Sequence, residues 1–66
     1  MAQRGEVIFE FRHNGAYVKV SAIDVVSGTE VSIVGDPAAG EAALRRLALR
    51  KLYYVIAKNI AKDKGG

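Results

Sequence analysis

The distribution of apolar residue types along the chain limits its fold more than any other feature. Ten of the 13 valines and isoleucines precede residue 37, and all four leucines follow it. β-Branched side chains suit the pleated surface of a strand, whereas leucine is among the better helix formers. The sequence therefore predicts an α+β fold, with a β half followed by an α half and a boundary at Asp36-Pro37.

The first strand is predicted over residues 6–12, where apolar and polar side chains alternate. Asn14-Gly15 follows, and this dipeptide favours a two-residue type I′ loop because both loop residues need a positive φ. Such a loop makes paired residue numbers sum to 29. Glu10 then lies opposite Lys19, a favourable cross-strand pair of opposite charges. The apolar pairs on the other face are predicted to be Phe11 with Val18, Phe9 with Val20 and Val7 with Ala22.

The second and third strands, residues 17–24 and about 29–34, flank the loop VVSG at 25–28. A four-residue loop with its glycine in the left-handed region pairs Ala22 with Val31, whereas a tighter turn shifts the pairs but keeps the faces. Both alternatives give a three-stranded antiparallel β-meander. Its apolar face is predicted to hold Val7, Phe9, Phe11, Val18, Val20, Ala22, Val31 and Ile33. The mixed face is predicted to hold Ile8, Glu10, Arg12, Tyr17, Lys19, Ser21, Ile23, Glu30 and Ser32.

One long C-terminal helix is predicted to follow and to pack on the apolar face, giving the order βββα. Asp36-Pro37 is typical of a helix start, because a carboxylate caps exposed N–H groups and proline has no N–H to leave unpaired there. Gly40 weakens the first turn, so the firm part is expected to begin near Glu41. We predict one domain over 1–66, with the meander at about 6–35, the helix at 37–61 and a flexible tail at 62–66.

The apolar arc of this helix covers about half its circumference, which is wider than the ~100° stripe of a helix with one buried side. Arg45, Glu41 and Asn59 are its only interruptions. The arc consists of Leu44, Val55, Ala48, Leu52, Ile56, Leu49, Ile60 and Tyr53.

The predicted helix is also longer than the sheet. Residues 40–61 extend about 33 Å, whereas strands of about seven residues reach about 23 Å. The last turns are therefore expected to project past the sheet, and exposed apolar surface usually marks an interface. Since 66 residues without cysteine are marginally stable alone, we expect a homodimer; fraying after Ala57 or a helix bent onto the sheet are the alternatives. The candidate interface residues are Leu49, Tyr53, Ile56 and Ile60.

No pattern typical of catalysis, cofactor binding or metal binding is found in the sequence. A metal site needs three or four converging ligands, and the chain has one histidine, His13, and no cysteine. Glu6 and Glu10 lie about 13 Å apart on a strand, too far for an acid–base pair. The serines lack a neighbouring histidine that would activate them. The segment GDPAAG at 35–40 lacks the Gly-Lys-Ser/Thr ending of a phosphate loop. We therefore predict no enzymatic activity, no cofactor and no metal.

The net charge of +3 conceals an asymmetry. Residues 1–36 carry −2, with three basic against five acidic side chains, and residues 37–66 carry +5, with seven against two. The helix half opposite the apolar arc has basic residues interleaved with a tyrosine, typical of a phosphate-binding face with one stacking platform. A solvated face favoured by the helix dipole and a face for an acidic protein partner are the alternatives. The candidate basic face is Arg46, Arg50, Lys51, Tyr54 and Lys58.

Neither a leader nor a membrane span is predicted. Residues 1–6 have no apolar segment behind their one arginine, unlike a signal peptide. No stretch approaches 18 apolar residues. We therefore expect a soluble cytoplasmic protein without membrane partners.

Four segments resemble a family of very short alphaproteobacterial proteins: GEVIFEF at 5–11, GAYVKVSAID at 15–24, GTEVSIVG at 28–35 and RKLYYVIAK at 50–58. The resemblance covers about nine-tenths of the chain and implies a domain of unknown function, some of whose members are labelled serine hydroxymethyltransferase. This chain is far too short for a pyridoxal-phosphate enzyme and lacks its Schiff-base lysine motif. The βββα order is also similar to the last two-thirds of a double-stranded-RNA-binding domain, but the first helix and lysine-rich helix start of that domain are absent here.

Overall fold

Three antiparallel strands form one open sheet, and one helix lies across one face of it. The computed structural model describes the backbone of residues 6–65 and the side chains of residues 6–61. Two expectations fall on residues that are not described in full. The absence of a leader concerns residues 1–6, of which 1–5 are not described. The flexible tail concerns residues 62–66, of which only the helical backbone to Gly65 is described. The predicted βββα class is confirmed. The elements are β1 (Val7–Asn14), β2 (Tyr17–Asp24), β3 (Glu30–Gly35), a 3-10 turn (Pro37–Ala39) and α1 (Glu41–Gly65), with the sheet order β1-β2-β3.

The register of the β1–β2 hairpin differs from the predicted one by two residues. Paired residue numbers sum to 31 instead of 29, because the loop is Gly15-Ala16 instead of Asn14-Gly15. Glu10 lies opposite Ser21, so the predicted Glu10–Lys19 pair is wrong. A shift of two residues keeps every side chain on its predicted face, since the alternation has a period of two. The three predicted apolar pairs are also wrong, and the structure pairs Phe11 with Val20, Phe9 with Ala22 and Val7 with Asp24.

The backbone of the loop explains this shift. A type I′ loop needs positive φ at both of its residues, whereas only glycines have positive φ in the described part of the chain. Gly15 has a φ of +65° and stands first in the loop, as in a type II′ turn. Asn14 instead continues β1, pairs with Tyr17 and donates a hydrogen bond from Nδ2 to the Tyr17 hydroxyl at 2.9 Å.

The β2–β3 hairpin has the four-residue loop, the first of the two predicted alternatives. Ala22 pairs with Val31 as predicted, and Gly28 has a φ of +77°. Asp24 stabilises the loop, because its carbonyl accepts a hydrogen bond from the Gly28 N–H at 2.8 Å and its carboxylate accepts one from the Ser27 N–H at 3.0 Å. The predicted apolar face is confirmed, since each of its residues is buried in the core or packs against it.

A 3-10 turn and a glycine separate the sheet from the helix. Asp36, expected to cap the long helix, caps the 3-10 turn instead, with its Oδ1 accepting a hydrogen bond from the Ala38 N–H at 2.9 Å. The turn ends at Gly40, whose φ of +90° favours glycine over other residues. α1 begins only after this break, at Glu41, where the firm part of the helix is expected. It starts four residues later than the predicted range 37–61 and ends four residues beyond it.

The core lies between one stripe of α1 and the strands β2 and β3. Gly35 brings the helix close to the sheet, because a Cβ at this position would lie 2.5 Å from Cδ2 of the buried Leu44. The contacts of α1 with β2 and β3 far exceed those with β1, so the helix lies off the centre of the sheet. The buried core residues are Val18, Val20, Ala22, Val31, Leu44, Ala48 and Leu52.

We predict that Gly35→Ala lowers the free energy of unfolding by about 1–3 kcal/mol, because the added methyl overpacks the contact with Leu44. Val34→Thr is the matched control, since Val34 is exposed on the opposite face of the same strand, and we expect it to change stability by less than about 0.5 kcal/mol. Urea unfolding followed by circular dichroism measures both. Equal stability of the two variants would contradict the close packing at Gly35.

Candidate functional site

One flank of α1 faces β1 and leaves apolar side chains partly uncovered. On this flank, Tyr53 and Ile60 are 55% and 54% exposed, and Leu49 is half-buried against the core. The β1 rings of Phe9 and Phe11, beside the same flank, are also only half-buried. We call the following set the β1-side surface: Phe9, Phe11, Leu49, Tyr53, Ile56 and Ile60.

Arg45 links this flank of the helix to β1. Its guanidinium carbon lies 5.6 Å from the centroid of the Phe9 ring and 5.8 Å from that of the Phe11 ring, within the range of a cation–π interaction. One turn earlier, Oε1 of Glu41 lies 3.5 Å from the Arg45 guanidinium, an i,i+4 pair that favours this orientation. Arg45 interrupts the apolar arc of the helix, and here it covers two rings that the core buries only in part.

The four predicted interface residues lie on one flank of α1 but differ in burial. Ile56, expected to project past the sheet, is half-buried and packs against the core, because α1 still lies over the sheet at that turn. Tyr53 and Ile60 are exposed as expected. A substitution at Ile56 therefore disturbs the core, whereas Tyr53 and Ile60 can be changed with less effect on the fold.

Sequence reasoning did not include Phe9 and Phe11 in the candidate surface, because it treated the apolar face of the sheet as covered throughout. The widths of the helix and of the sheet would have indicated that these rings are not fully covered. A helix with side chains is about 10–12 Å across, and three strands about 4.8 Å apart, with their outer side chains, exceed that width. One outer strand of such a sheet is bound to be left partly uncovered.

The predicted basic face lies on the other half of α1, and all five of its residues are exposed. The Nζ atom of Lys58 lies 5.6 Å from the centroid of the Tyr54 ring, so a base that stacks on this side of the ring must displace Lys58. Lys51 has a structural contact, because its Nζ donates a hydrogen bond to the Ser32 carbonyl of β3 at 3.0 Å. Arg46, Arg50, Tyr54 and Lys58 therefore form the part of this face that is directed to solvent.

The described residues contain no metal-binding constellation of three or more histidine, cysteine, aspartate or glutamate side chains. His13 is exposed near the end of β1. Within the same residues, no helix combines the length and the apolar character needed to cross a membrane. The candidate sites that the geometry presents are thus two surfaces of α1, one apolar and one basic.

We predict that Arg45→Gln lowers the free energy of unfolding by about 0.5–1.5 kcal/mol, because the cation over the two phenylalanine rings is lost. Glu41→Gln is the control for the ion pair, since it removes the carboxylate and leaves the cation in place; we expect a loss of no more than about 0.5 kcal/mol. Thermal unfolding of both variants gives the comparison. A loss of more than about 0.5 kcal/mol from Glu41→Gln would mean that Arg45 stabilises the fold through its ion pair with Glu41 instead.

A family model described as a domain of unknown function (DUF6898) matches residues 4–59 of the 66-residue chain. The match includes all three strands and most of α1. Comparison with curated proteins finds no significant match, and comparison with solved structures finds none either. The alphaproteobacterial range of the family and the enzyme label of some members stay predictions. The predicted membership itself is confirmed: the chain belongs to the family defined by this domain of unknown function.

Proposed function

We propose that the chain is a non-enzymatic interaction module that acts as a homodimer in the cytoplasm, with its β1-side surface buried against a second copy. The incomplete burial of these apolar side chains supports the proposal. The rings on β1 are half-buried, and Tyr53 and Ile60 on α1 are more than half exposed. Apolar surface that a monomer leaves in water usually marks an interface.

The small size of the chain favours a second copy as the partner. A domain of 66 residues without disulfides buries a smaller fraction of its surface than a larger domain does and has little net stability. Full burial of a large apolar side chain contributes about 1.5–3 kcal/mol. In a two-fold dimer each such gain occurs twice, because both subunits use the same surface.

We predict that Tyr53→Glu weakens self-association at least tenfold, about 1.4 kcal/mol, because it places a charge in the apolar interface. Tyr54→Glu is the matched control, since Tyr54 is the next residue, is 63% exposed and lies on the basic face; we expect a change within about twofold, as for a residue outside an interface. Sedimentation equilibrium of both variants and the wild type measures the dissociation constants.

The wild-type chain is expected to change with concentration from a mass of 7.1 kDa to twice that value. A mass of 7.1 kDa at every accessible concentration would contradict the homodimer. Equal weakening by the two tyrosine substitutions would place the interface elsewhere on α1.

The basic face of α1 supports a second candidate function, that of a small nucleic-acid-binding protein. Residues 41–61 contain five arginines and lysines but one acidic residue. Arg45 is directed to β1, and the other four basic residues are exposed together with Tyr54. A polyanionic backbone fits such a surface, and an acidic protein surface is the alternative ligand for the same residues.

We predict that binding of labelled RNA or DNA weakens about 20–40-fold between 50 and 200 mM salt for three phosphate contacts. Arg50→Glu is expected to weaken binding at least tenfold, and Lys19→Glu, the same charge change on the exposed sheet face, by no more than about twofold. Fluorescence anisotropy measures both. Absent or salt-independent binding would leave the basic face as a solvated surface.

A further inference from the structure

The two outer strands of the sheet differ in how their backbone edges are covered. On β3, the Ser32 carbonyl accepts a hydrogen bond from Lys51 Nζ at 3.0 Å. On β1, no hydrogen bond from a described side chain reaches the outer backbone edge. A strand edge with unpaired N–H and C=O groups is a template for pairing with another chain.

The alternation of hydrogen bonds in the β1–β2 ladder determines which groups of β1 point outward. The Val25 N–H donates to the Glu6 carbonyl at 3.1 Å, so the even-numbered residues of β1 exchange hydrogen bonds with β2. The N–H and C=O groups of Phe9 and Phe11 therefore point to the open edge. β1 is eight residues long and contains no proline, so its whole length can pair.

The side chains of β1 make this edge self-complementary in charge. Glu10 and Arg12 lie on the open face of the sheet, with side-chain exposures of 55% and 70% and a distance of 3.5 Å between Oε2 and Nε. When two copies of β1 pair antiparallel around Phe11, each Glu10 lies opposite the partner's Arg12, and no other register does this. Registers centred on Glu10 or on Arg12 place like charges directly opposite, which is destabilising.

The same register offsets an unfavourable pair within one chain. Arg12 lies directly opposite Lys19, whereas Glu10 lies opposite the uncharged Ser21. Like charges at opposite positions of neighbouring strands are destabilising. Across the edge, the partner's Glu10 flanks Arg12 on its other side, so the second copy brings a negative charge next to the two positive ones.

We infer that the second copy binds by antiparallel pairing of β1 with β1 around Phe11, which joins the two sheets into one six-stranded sheet with both helices on the same face. This inference rests on the proposed homodimer and names the strand that builds it. On the face that carries the helices, Phe11 lies beside the partner's Phe11 and Phe9 beside the partner's His13. The half-buried rings of β1 are thereby covered from the side that α1 does not reach.

Reciprocal charge reversal tests this register. Glu10→Arg alone places two Arg–Arg pairs across the edge, and Arg12→Glu alone places two Glu–Glu pairs, so we expect each variant to associate at least about tenfold more weakly than the wild type. An equimolar mixture of the two variants restores two Arg–Glu pairs and is expected to form a heterodimer of wild-type affinity. The double variant Glu10→Arg/Arg12→Glu is expected to regain the homodimer. Sedimentation equilibrium gives the affinities, and native mass spectrometry identifies the heterodimer.

Amide hydrogen exchange supplies a readout that does not depend on charge. The N–H groups of Phe9 and Phe11 are expected to exchange more slowly as the concentration of the wild-type chain rises, because pairing covers them. The N–H groups of Ile8 and Glu10 are the internal control, since they bond to β2 and stay protected at every concentration.

The outcomes separate this inference from the proposed homodimer. A wild-type chain that stays at 7.1 kDa overturns both. The chain can dimerise while the Phe9 and Phe11 amides stay unprotected, or while the single reversals leave the affinity unchanged. Either result supports the homodimer and overturns the β1 pairing. Weakening without rescue in the mixture also overturns it, because facing charges must compensate each other.

Discussion

One helix cannot cover a three-stranded sheet, and most features of this structure follow from that mismatch in width. α1 lies over β2 and β3, where Gly35 allows the close approach of Leu44. The buried stripe of the helix is therefore narrow, with Leu44, Ala48 and Leu52 fully enclosed. β1 is left with two half-buried phenylalanine rings under a single guanidinium group. The uncovered apolar flank of α1 follows from the same offset, whereas the edge of β1 is open because β1 is an outer strand of the sheet.

The element order and the faces of the sheet could be predicted from the sequence because both depend on a local period. The register of the first hairpin could not, since it depends on which two residues form the loop. Asn14-Gly15 and Gly15-Ala16 both contain the glycine, and the choice between them depends on whether Asn14 adopts positive φ. The predicted register is wrong by two residues, a shift that keeps every side chain on its face of the sheet. The apolar pattern therefore fits both registers equally well and could not distinguish them. The sequence narrows the register of the second hairpin to two alternatives, and the structure has the one in which Gly28 adopts positive φ in a four-residue loop.

The candidate site shows a similar division between local and tertiary information. Helical spacing placed Leu49, Tyr53, Ile56 and Ile60 on one flank, but it did not indicate which strand that flank faces. In a helical projection Arg45 is only a charged residue within the apolar arc. Its position over the Phe9 and Phe11 rings, which the structure shows, indicates that it covers them. The break at Gly40, by contrast, is indicated by the sequence, since the firm part of the helix is expected to begin near Glu41 and α1 begins there. The lateral position of α1 arises from packing across the sheet, which no local pattern encodes.

The proposed homodimer and the proposed binding at the basic face are compatible, because they would use opposite halves of α1. In the proposed six-stranded sheet, a two-fold axis perpendicular to the sheet places both helices on one side of it. The exposed side chains of Arg46, Arg50 and Lys58 then occur twice on that side, directed away from the sheet. A polyanion or an acidic protein that contacts both copies would gain from bivalent binding without any new contact within one chain. Pairing at β1 would in this way double the basic surface that a single 66-residue chain presents.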